Sequence, residues 1–354
     1  MAHRLYVFGS NGEGQLGIPA ANIVNTPTLV PIPESSISIL RLHELEGLTA
    51  IRGGDNHTLL YIRTGTVYGA GDNRKGQLDS ERKKRRIDQF TLIADASHVA
   101  ATCESSAYLI DYTLSVEGCY VKTHGSGQWG ELSSGSHSSD SQPNRLPGKA
   151  VDLAAGVWHY VAIMLDGSVY GWGKARHGQL GNGLSGKVTV PTRIEDVPFR
   201  PDKVICGKDF TYFVGNPAAG KHIILGQDKF KIISNMPDHI NGWKDIGATW
   251  YAIFVLFNDG TLTAWGKENM WKLLPPNLPP LDKIAVGSDH ILAVTNDGKL
   301  ISWGWGKHGN CGDLSNIEHE VKNDMVSGFW NEIALPGEID FIGAGYCTSF
   351  VVTK

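Results

Sequence analysis

One unit of sequence recurs along the whole chain, and that recurrence decides most of what the chain can fold into. Residues 151–183 read VDLAAGVWHYVAIMLDGSVYGWGKARHGQLGNG, residues 284–312 read IAVGSDHILAVTNDGKLISWGWGKHGNCG, and residues 51–79 read IRGGDNHTLLYIRTGTVYGAGDNRKGQLD. A self-similar unit of about 40–55 residues marks a propeller or a solenoid. Each copy has the same grammar. A short apolar strand ends in a small-residue corner, such as Ala154-Ala155-Gly156, and an alternating strand follows (His159 to Leu165). A tight Asp-Gly turn comes next, as in Asp166-Gly167, Asp259-Gly260 and Asp297-Gly298, where glycine supplies the positive φ cheaply. A third strand with an aromatic residue then leads into a loop that ends Gly-Gln-Leu-Gly or a relic of it.

Corner glycines fall at Gly54, Gly156, Gly207, Gly247, Gly287 and Gly345, and a degraded copy near Val99 has Thr102 in that place. That makes seven units. The N-terminal fragment LYVFGSNGEGQLG is only the second half of a unit, and the C-terminal fragment FIGAGYCTSFVVTK is only a first half. Joined, they complete one blade and remove the free sheet edges that invite aggregation. The prediction is a single all-β domain over residues 1–354, a seven-bladed β-propeller of four-stranded sheets. The ring is closed by strands from both termini, with Tyr6–Phe8 beside Ser349–Val352.

Forty-three glycines in 354 residues suit a fold of tight turns and not a helical one. The net charge of −4 argues against bulk binding of nucleic acid through phosphate neutralisation, so direct RNA binding is not expected. The five cysteines, Cys103, Cys119, Cys206, Cys311 and Cys347, include no C-x-x-C pair. Such spacing predicts neither a metal site nor a cofactor held by this chain, and suits a reduced intracellular protein. The opening residues MAHRLYVFGS carry no charged-then-apolar leader, and no apolar run approaches about 18 residues. The expectation is a cytoplasmic protein, also nuclear, with no membrane partner. Asn56-His57-Thr58 matches a glycosylation acceptor that lacks any secretory context.

These units resemble the regulator-of-chromosome-condensation repeat across essentially the whole chain, which implies the seven-bladed propeller. A narrower likeness rests on GDNRKGQLDS (Gly71 to Ser80), CGKDF (Cys206 to Phe210) and WGWGKHGNCG (Trp303 to Gly312). These segments are similar to the fungal alpha-tubulin suppressor, or killer-toxin-insensitivity, family. That resemblance implies a non-catalytic partner of a small CSL-type zinc-finger protein of diphthamide biosynthesis, which carries electrons on a Cys-bound metal. The pair would serve diphthamide formation on elongation factor 2 and, with the Elongator complex, wobble-uridine modification of tRNA. The broader repeat family implies an alternative, a guanine-nucleotide exchange factor for a small GTPase. Asp55, Asp209, Asp289 and His290 would then disturb the bound nucleotide.

Residues for a partner surface come from two places. The corner loops offer Trp158, Lys208, Asp209, Trp250, Asp289 and His290. The strand Trp303 to Trp305 and its following loop offer Trp303, Trp305, His308 and Asn310. Tryptophan at a loop tip buries much area with little lost entropy. Of Trp303 and Trp305, one is expected in the core between blades. The two places are read as alternative patches, because corner and loop can open on different faces. His57, His159 and His290 stand three residues after a corner glycine; their blander role is to hydrogen-bond the neighbouring blade. Gly247 as a corner puts Trp250 in that same histidine position.

Other motifs carry less. Gly181 to Val188 is a near miss to a phosphate-binding loop, lacking the Ser or Thr for magnesium and a helix to follow. The run Glu81 to Asp88, basic over Arg82–Arg86, reads as a solvated loop. Segments 81–98 and 313–338 match no unit. No H-E-x-x-H, G-x-S-x-G or paired-carboxylate pattern points to an enzyme.

Overall fold

The computed structural model describes residues 3–32, 39–79, 84–111, 118–133, 144–268 and 270–354. Seven antiparallel sheets follow one another in chain order. The first blade holds Leu48–Gly53, His57–Ile62, Thr66–Asp72 and Arg86–Asp95. The second holds His98–Ala101, Ser105–Asp111, Cys119–Gly125 and Asn144–Leu146. The third holds Ala150–Ala155, His159–Met164, Val169–Lys174 and Lys187–Ile194. The sixth holds Leu281–Val286, His290–Thr295, Leu300–Trp305 and Met325–Ile333. Segments 81–98 and 313–338, which match no unit in sequence, thus supply the fourth strands of two blades. The near miss at Gly181–Val188 runs into a strand, Lys187–Ile194.

The seventh blade draws Ile339–Ala344 and Thr348–Thr353 from the C-terminus and Arg4–Asn11 and Ala21–Leu29 from the N-terminus. Tyr6 lies opposite Val351 and Phe8 opposite Ser349, so the ring closes as the split repeat predicts.

Two blades depart from the expected four strands. The fourth blade has Lys203–Cys206, Phe210–Val214 and His222–Gly226; the fifth has Trp243–Ala248, Ala252–Phe257 and Leu262–Gly266. After the fifth blade's third strand the chain runs Pro275-Pro276-Asn277-Leu278-Pro279-Pro280. Proline has no N–H to give to a ladder, so an outer strand cannot form there. After the fourth blade's third strand a 3₁₀ turn, Lys229–Lys231, takes the place of the strand.

The core lies between blades, and polar side chains fasten it there. Trp172, Trp265 and Trp303 occupy one repeat position. Their indole N–H groups donate to carbonyls of the preceding blade's loop, those of Glu131, Ile232 and Leu273, at 3.1, 2.9 and 2.8 Å. His57, His159 and His290 reach the next blade through Nε2, at 3.1, 3.0 and 2.9 Å from the hydroxyls of Ser106, Thr211 and Ser349. The Thr211 and Ser349 hydroxyls in turn donate to the Gln179 and Asn310 carbonyls. In those two blades the imidazole must therefore be the donor, carrying its proton on Nε2. Nδ1 stays without a partner in all three rings. Burial pushes these imidazoles down to about 4, 3 and 3, so they are neutral. The corner glycine follows from this: a Cβ on Gly54, Gly156 or Gly287 would stand 2.1, 2.4 or 2.2 Å from the ring's Cε1.

Candidate functional site

The first strands of the blades surround a central channel of about 490 Å³. Asp152, Lys203 and Asp245 line it, with Lys203 and Asp245 paired between adjacent blades. Arg52 is enclosed in the same channel; burial lowers its pKa while Asp152 and Asp245 oppose that shift. One end is narrowed by a hub made of the residues just after each corner: Asp55, Cys103, Val157, Lys208, Trp250, Ser288 and Tyr346. Backbone hydrogen bonds pass from one blade to the next around this hub. They run from Asp55 N to Cys103 O, Cys103 N to Val157 O, Lys208 N to Trp250 O, Trp250 N to Ser288 O and Ser288 N to Tyr346 O, at 2.9–3.1 Å.

The hub corrects the reading of Trp250. The corner bond of the other blades, Gly54 N to His57 O for example, is made in the fifth blade by Thr249 N to Ala252 O. Thr249 is therefore the corner and Ala252 stands where histidine stands elsewhere; the Thr249 hydroxyl accepts the Ala252 N–H at 2.9 Å. Gly247 lies inside the strand, where a Cβ would sit 2.4 Å from Val286. Its lack of a side chain serves close packing against the sixth blade, which is why it mimics a corner two residues early. Trp250 is a hub residue, edge-on to Tyr346 with ring centroids 5.6 Å apart.

The corner loops and the loops after the third strands share one face. Backbone bonds join them: Lys174 N to Trp158 O, Lys267 N to Tyr251 O and Trp305 N to Asp289 O. The two patches that were alternatives in sequence are one surface. On it, half-buried Trp158 flanks Lys174, whose ammonium pairs with Asp209 at 3.0 Å; His177 lies 3.6 Å from the same carboxylate. Lys208 sits over the Trp250 ring at 5.1 Å. Burial pushes the Asp289 carboxyl up to about 6, against the pull of Lys267 and Lys208. Trp305 is half-buried and meets His308 edge-to-face at 5.2 Å; burial lowers the His308 imidazole pKa.

Three sequence-chosen residues lie elsewhere. Trp303 and His290 are fully buried between blades. Asn310 takes the repeat's glutamine position and spends its amide on the Trp305 carbonyl at 2.7 Å. None of the three offers its side chain to a partner. The sequence reading missed Lys229, Phe230, Tyr251 and Lys267, which crowd the same face beside Lys208 and Trp250. Their signal was weak, because Phe230 and Lys229 sit in the loop that replaces a strand.

Of the basic run, Arg82 and Lys83 lie outside the described residues; Arg86 pairs with Asp88 at 2.6 Å. Among the described residues no cluster of three or more His, Cys, Asp or Glu side chains could hold a metal ion. No helix among them is long and apolar enough to cross a membrane.

The regulator of chromosome condensation (RCC1) repeat matches residues 2–61 and 166–214, and a second form of the same repeat matches 150–179 and 282–310. An RCC1 repeat-containing protein of Schizosaccharomyces pombe is 28% identical, over 99% of this chain and 99% of that protein. The secretion-regulating guanine nucleotide exchange factor of Bos taurus is 26% identical, over 87% of this chain and 64% of that protein. Among solved structures, human WBSCR16 superposes with a TM-score of 0.77 at 19% identity, covering 100% of this chain and 99% of that one. Prp20p of Saccharomyces cerevisiae also superposes at 0.77 and 19% identity, covering 99% and 91%. With the split seventh blade, the hub and the repeated indole and imidazole bonds, these matches show a seven-bladed propeller that carries RCC1-type repeats over residues 2–61, 150–214 and 282–310.

Proposed function

We propose that this propeller is a non-catalytic accessory protein that docks a small CSL-type zinc-finger protein of diphthamide biosynthesis on its corner face. The heterodimer would support diphthamide synthesis on elongation factor 2 and, with the Elongator complex, wobble-uridine modification of tRNA. The observation that carries the docking role is the merged surface at the hub. Trp250, Lys208 and Asp289 crowd its centre, and Trp305 and His308 extend it. An aromatic anchor ringed by charge suits protein recognition. The choice of partner comes from the likeness of segments Gly71–Ser80, Cys206–Phe210 and Trp303–Gly312. A chain without metal-ligand spacing still governs a partner's metal by shielding it or presenting it to a reductase. The test is calorimetry of the purified chain with the zinc-loaded partner. Saturable one-to-one binding is expected; no heat and no co-elution would overturn the reading.

A second reading has one specific support, the similarity to a secretion-regulating guanine nucleotide exchange factor. In that reading Asp55, Asp209 and Asp289 on the corner face would act on a small GTPase. Release of labelled GDP from GTPases, with and without the chain, separates the two: acceleration favours exchange, and an unchanged rate favours the accessory role.

A further inference from the structure

Three lysines and three aromatic rings from separate loops meet around Tyr251. Lys208 comes from the fourth blade's corner, and its Nζ lies 5.1 Å from the Trp250 centroid and 5.9 Å from that of Tyr251. Lys229 comes from the loop after the fourth blade's third strand. Its Nζ lies 4.5 Å from the Tyr251 ring and 5.5 Å from that of Phe230, and donates to the Tyr251 hydroxyl at 3.4 Å. Lys267 leaves the fifth blade's third strand and lies 5.5 Å from both Phe230 and Tyr251. Phe230 and Tyr251 meet edge-to-face at 5.1 Å. Phe230 and Lys231 are two successive non-glycine residues with φ of 59°. That conformation costs free energy, so the surroundings must hold it.

Among the described residues none of Lys208, Lys229 and Lys267 has a carboxylate within ion-pair distance. Of the nearby acids, Asp209 is engaged by Lys174 and His177, and Asp228 by the Ser234 hydroxyl and the Ile233 N–H; Asp289 feels Lys267 and Lys208 from beyond ion-pair distance. Beside the cluster a pocket of about 40 Å³ opens between Phe210, Ile232, Tyr251 and Lys229, with His177, Asp209 and Gln227 on its remaining wall. That volume admits the tip of one aliphatic side chain.

The chemistry selects among anionic partners. Single-stranded nucleic acid needs free aromatic faces on which bases stack. Here ammonium groups crowd Tyr251 and Phe230. The cations of the cluster are lysines, which act as point charges and lack the guanidinium fork that grips phosphate on two sides. We propose that this cluster docks an acidic segment of a partner protein, setting its carboxylates on Lys208, Lys229 and Lys267 and one apolar side chain in the adjoining pocket. The inference rests on the docking role proposed above for this face and adds the chemistry of what docks.

The test uses the full chain and a fluorescein-labelled peptide of about a dozen Glu and Asp residues with one central Leu, read by polarisation. Saturable binding is expected, weakened roughly tenfold by the pair Lys229→Gln and Lys267→Gln, and weakened by added salt. Replacing the central Leu of the peptide with Ser should cost several-fold. No binding, or equal binding by the double variant with an unchanged melting temperature, overturns the proposal. A single-stranded oligonucleotide of matched charge that binds more tightly and loses affinity on the same substitutions also overturns it, in favour of nucleic acid. The same variants are titrated with the CSL-type zinc protein. If it binds wild type and double variant alike, the acidic-segment proposal falls and the heterodimer stands. If the peptide binds and the zinc protein does not, the heterodimer falls and the acidic-segment proposal stands.

Discussion

Glu131 stands where three other blades place glutamine. The Gln15, Gln77 and Gln179 side-chain carbonyls accept the N–H two residues back, at 3.0, 3.0 and 2.8 Å. Glu131 makes the same bond to Trp129 N at 2.6 Å, but its other oxygen is buried without a partner. Burial pushes its carboxyl up from 4.5 to about 7, so near neutrality it imitates glutamine by holding a proton. Between those values the folded chain binds the proton and the unfolded chain does not. Its contribution is thus full below pH 4.5 and is lost as pH rises through about 7. Glu131→Gln should leave stability at pH 5 nearly unchanged and raise it at pH 8 by up to about 3 kcal/mol, measured by urea unfolding at both values. An equal effect at both values would disprove the proton's role. The histidine position allows a second substitution. The fourth blade has Phe210 there, packed over Gly207 as the imidazoles pack over their glycines. His159→Phe should keep the packing and cost about 1 kcal/mol for one lost buried hydrogen bond. His159→Ala should cost about 3 kcal/mol, because it also leaves a cavity beside the corner. Thermal melts of the two variants rank them, and equal losses would mean that packing is not what the ring supplies.

At the scale of strands and loops, the repeat makes the ring and its closure legible, because the copies share a corner, a tight turn that is Asp-Gly in three of them, and a third strand. It misplaced the fifth blade's corner. There Gly247 is present for contact with Val286, while Thr249 turns the chain by accepting a hydrogen bond instead of by lacking a side chain. A glycine pattern cannot separate these two reasons. Nor could it show that the corners and the third-strand loops share a face, since that depends on bonds such as Trp305 N to Asp289 O between residues far apart in sequence. Of the residues chosen from sequence, Trp250, Lys208 and Asp289 lie together on the corner face. Trp303, His290 and Asn310 hold repeat positions that serve the interior. Trp250 shows why the element matters. As a hub residue its backbone ties the fourth and sixth blades together, through Lys208 N and Ser288 O, whatever side chain it carries. Its indole N–H is buried and unpartnered, so what the half-buried residue offers another molecule is the remaining open part of its ring. Trp250→Ala should weaken binding of the proposed zinc-finger partner by about 2 kcal/mol and shift the melting temperature little. A large fall in melting temperature with unchanged affinity would assign the ring to blade packing.

For the whole molecule, the decisive question is whether seven blades stand as independent sheets or as one closed object. Neighbouring blades are tied by indole, imidazole and hub bonds, and each bond joins a blade only to the next. A ring with one missing seam keeps most of these bonds and loses the one that stops it opening. That seam is the strand Arg4–Asn11. It pairs along Thr348–Thr353 on one side and Ala21–Leu29 on the other, and its Leu5, Val7 and Phe8 are fully buried. Burying three such side chains contributes about 1.5–3 kcal/mol each, before any ladder bond is counted. Deleting residues 1–10 removes this burial and leaves Thr348–Thr353 and Ala21–Leu29 as open edges, which template association with other chains. We expect the truncated chain to lose at least several kcal/mol and to aggregate with rising concentration, and a synthetic peptide of residues 1–12 to restore part of the lost stability in trans. Chemical denaturation and light scattering check the first two expectations, and a melt with added peptide checks the third. A truncated chain that melts with the intact one would show that the blades hold without closure, and that the split repeat is a matter of topology and not of stability.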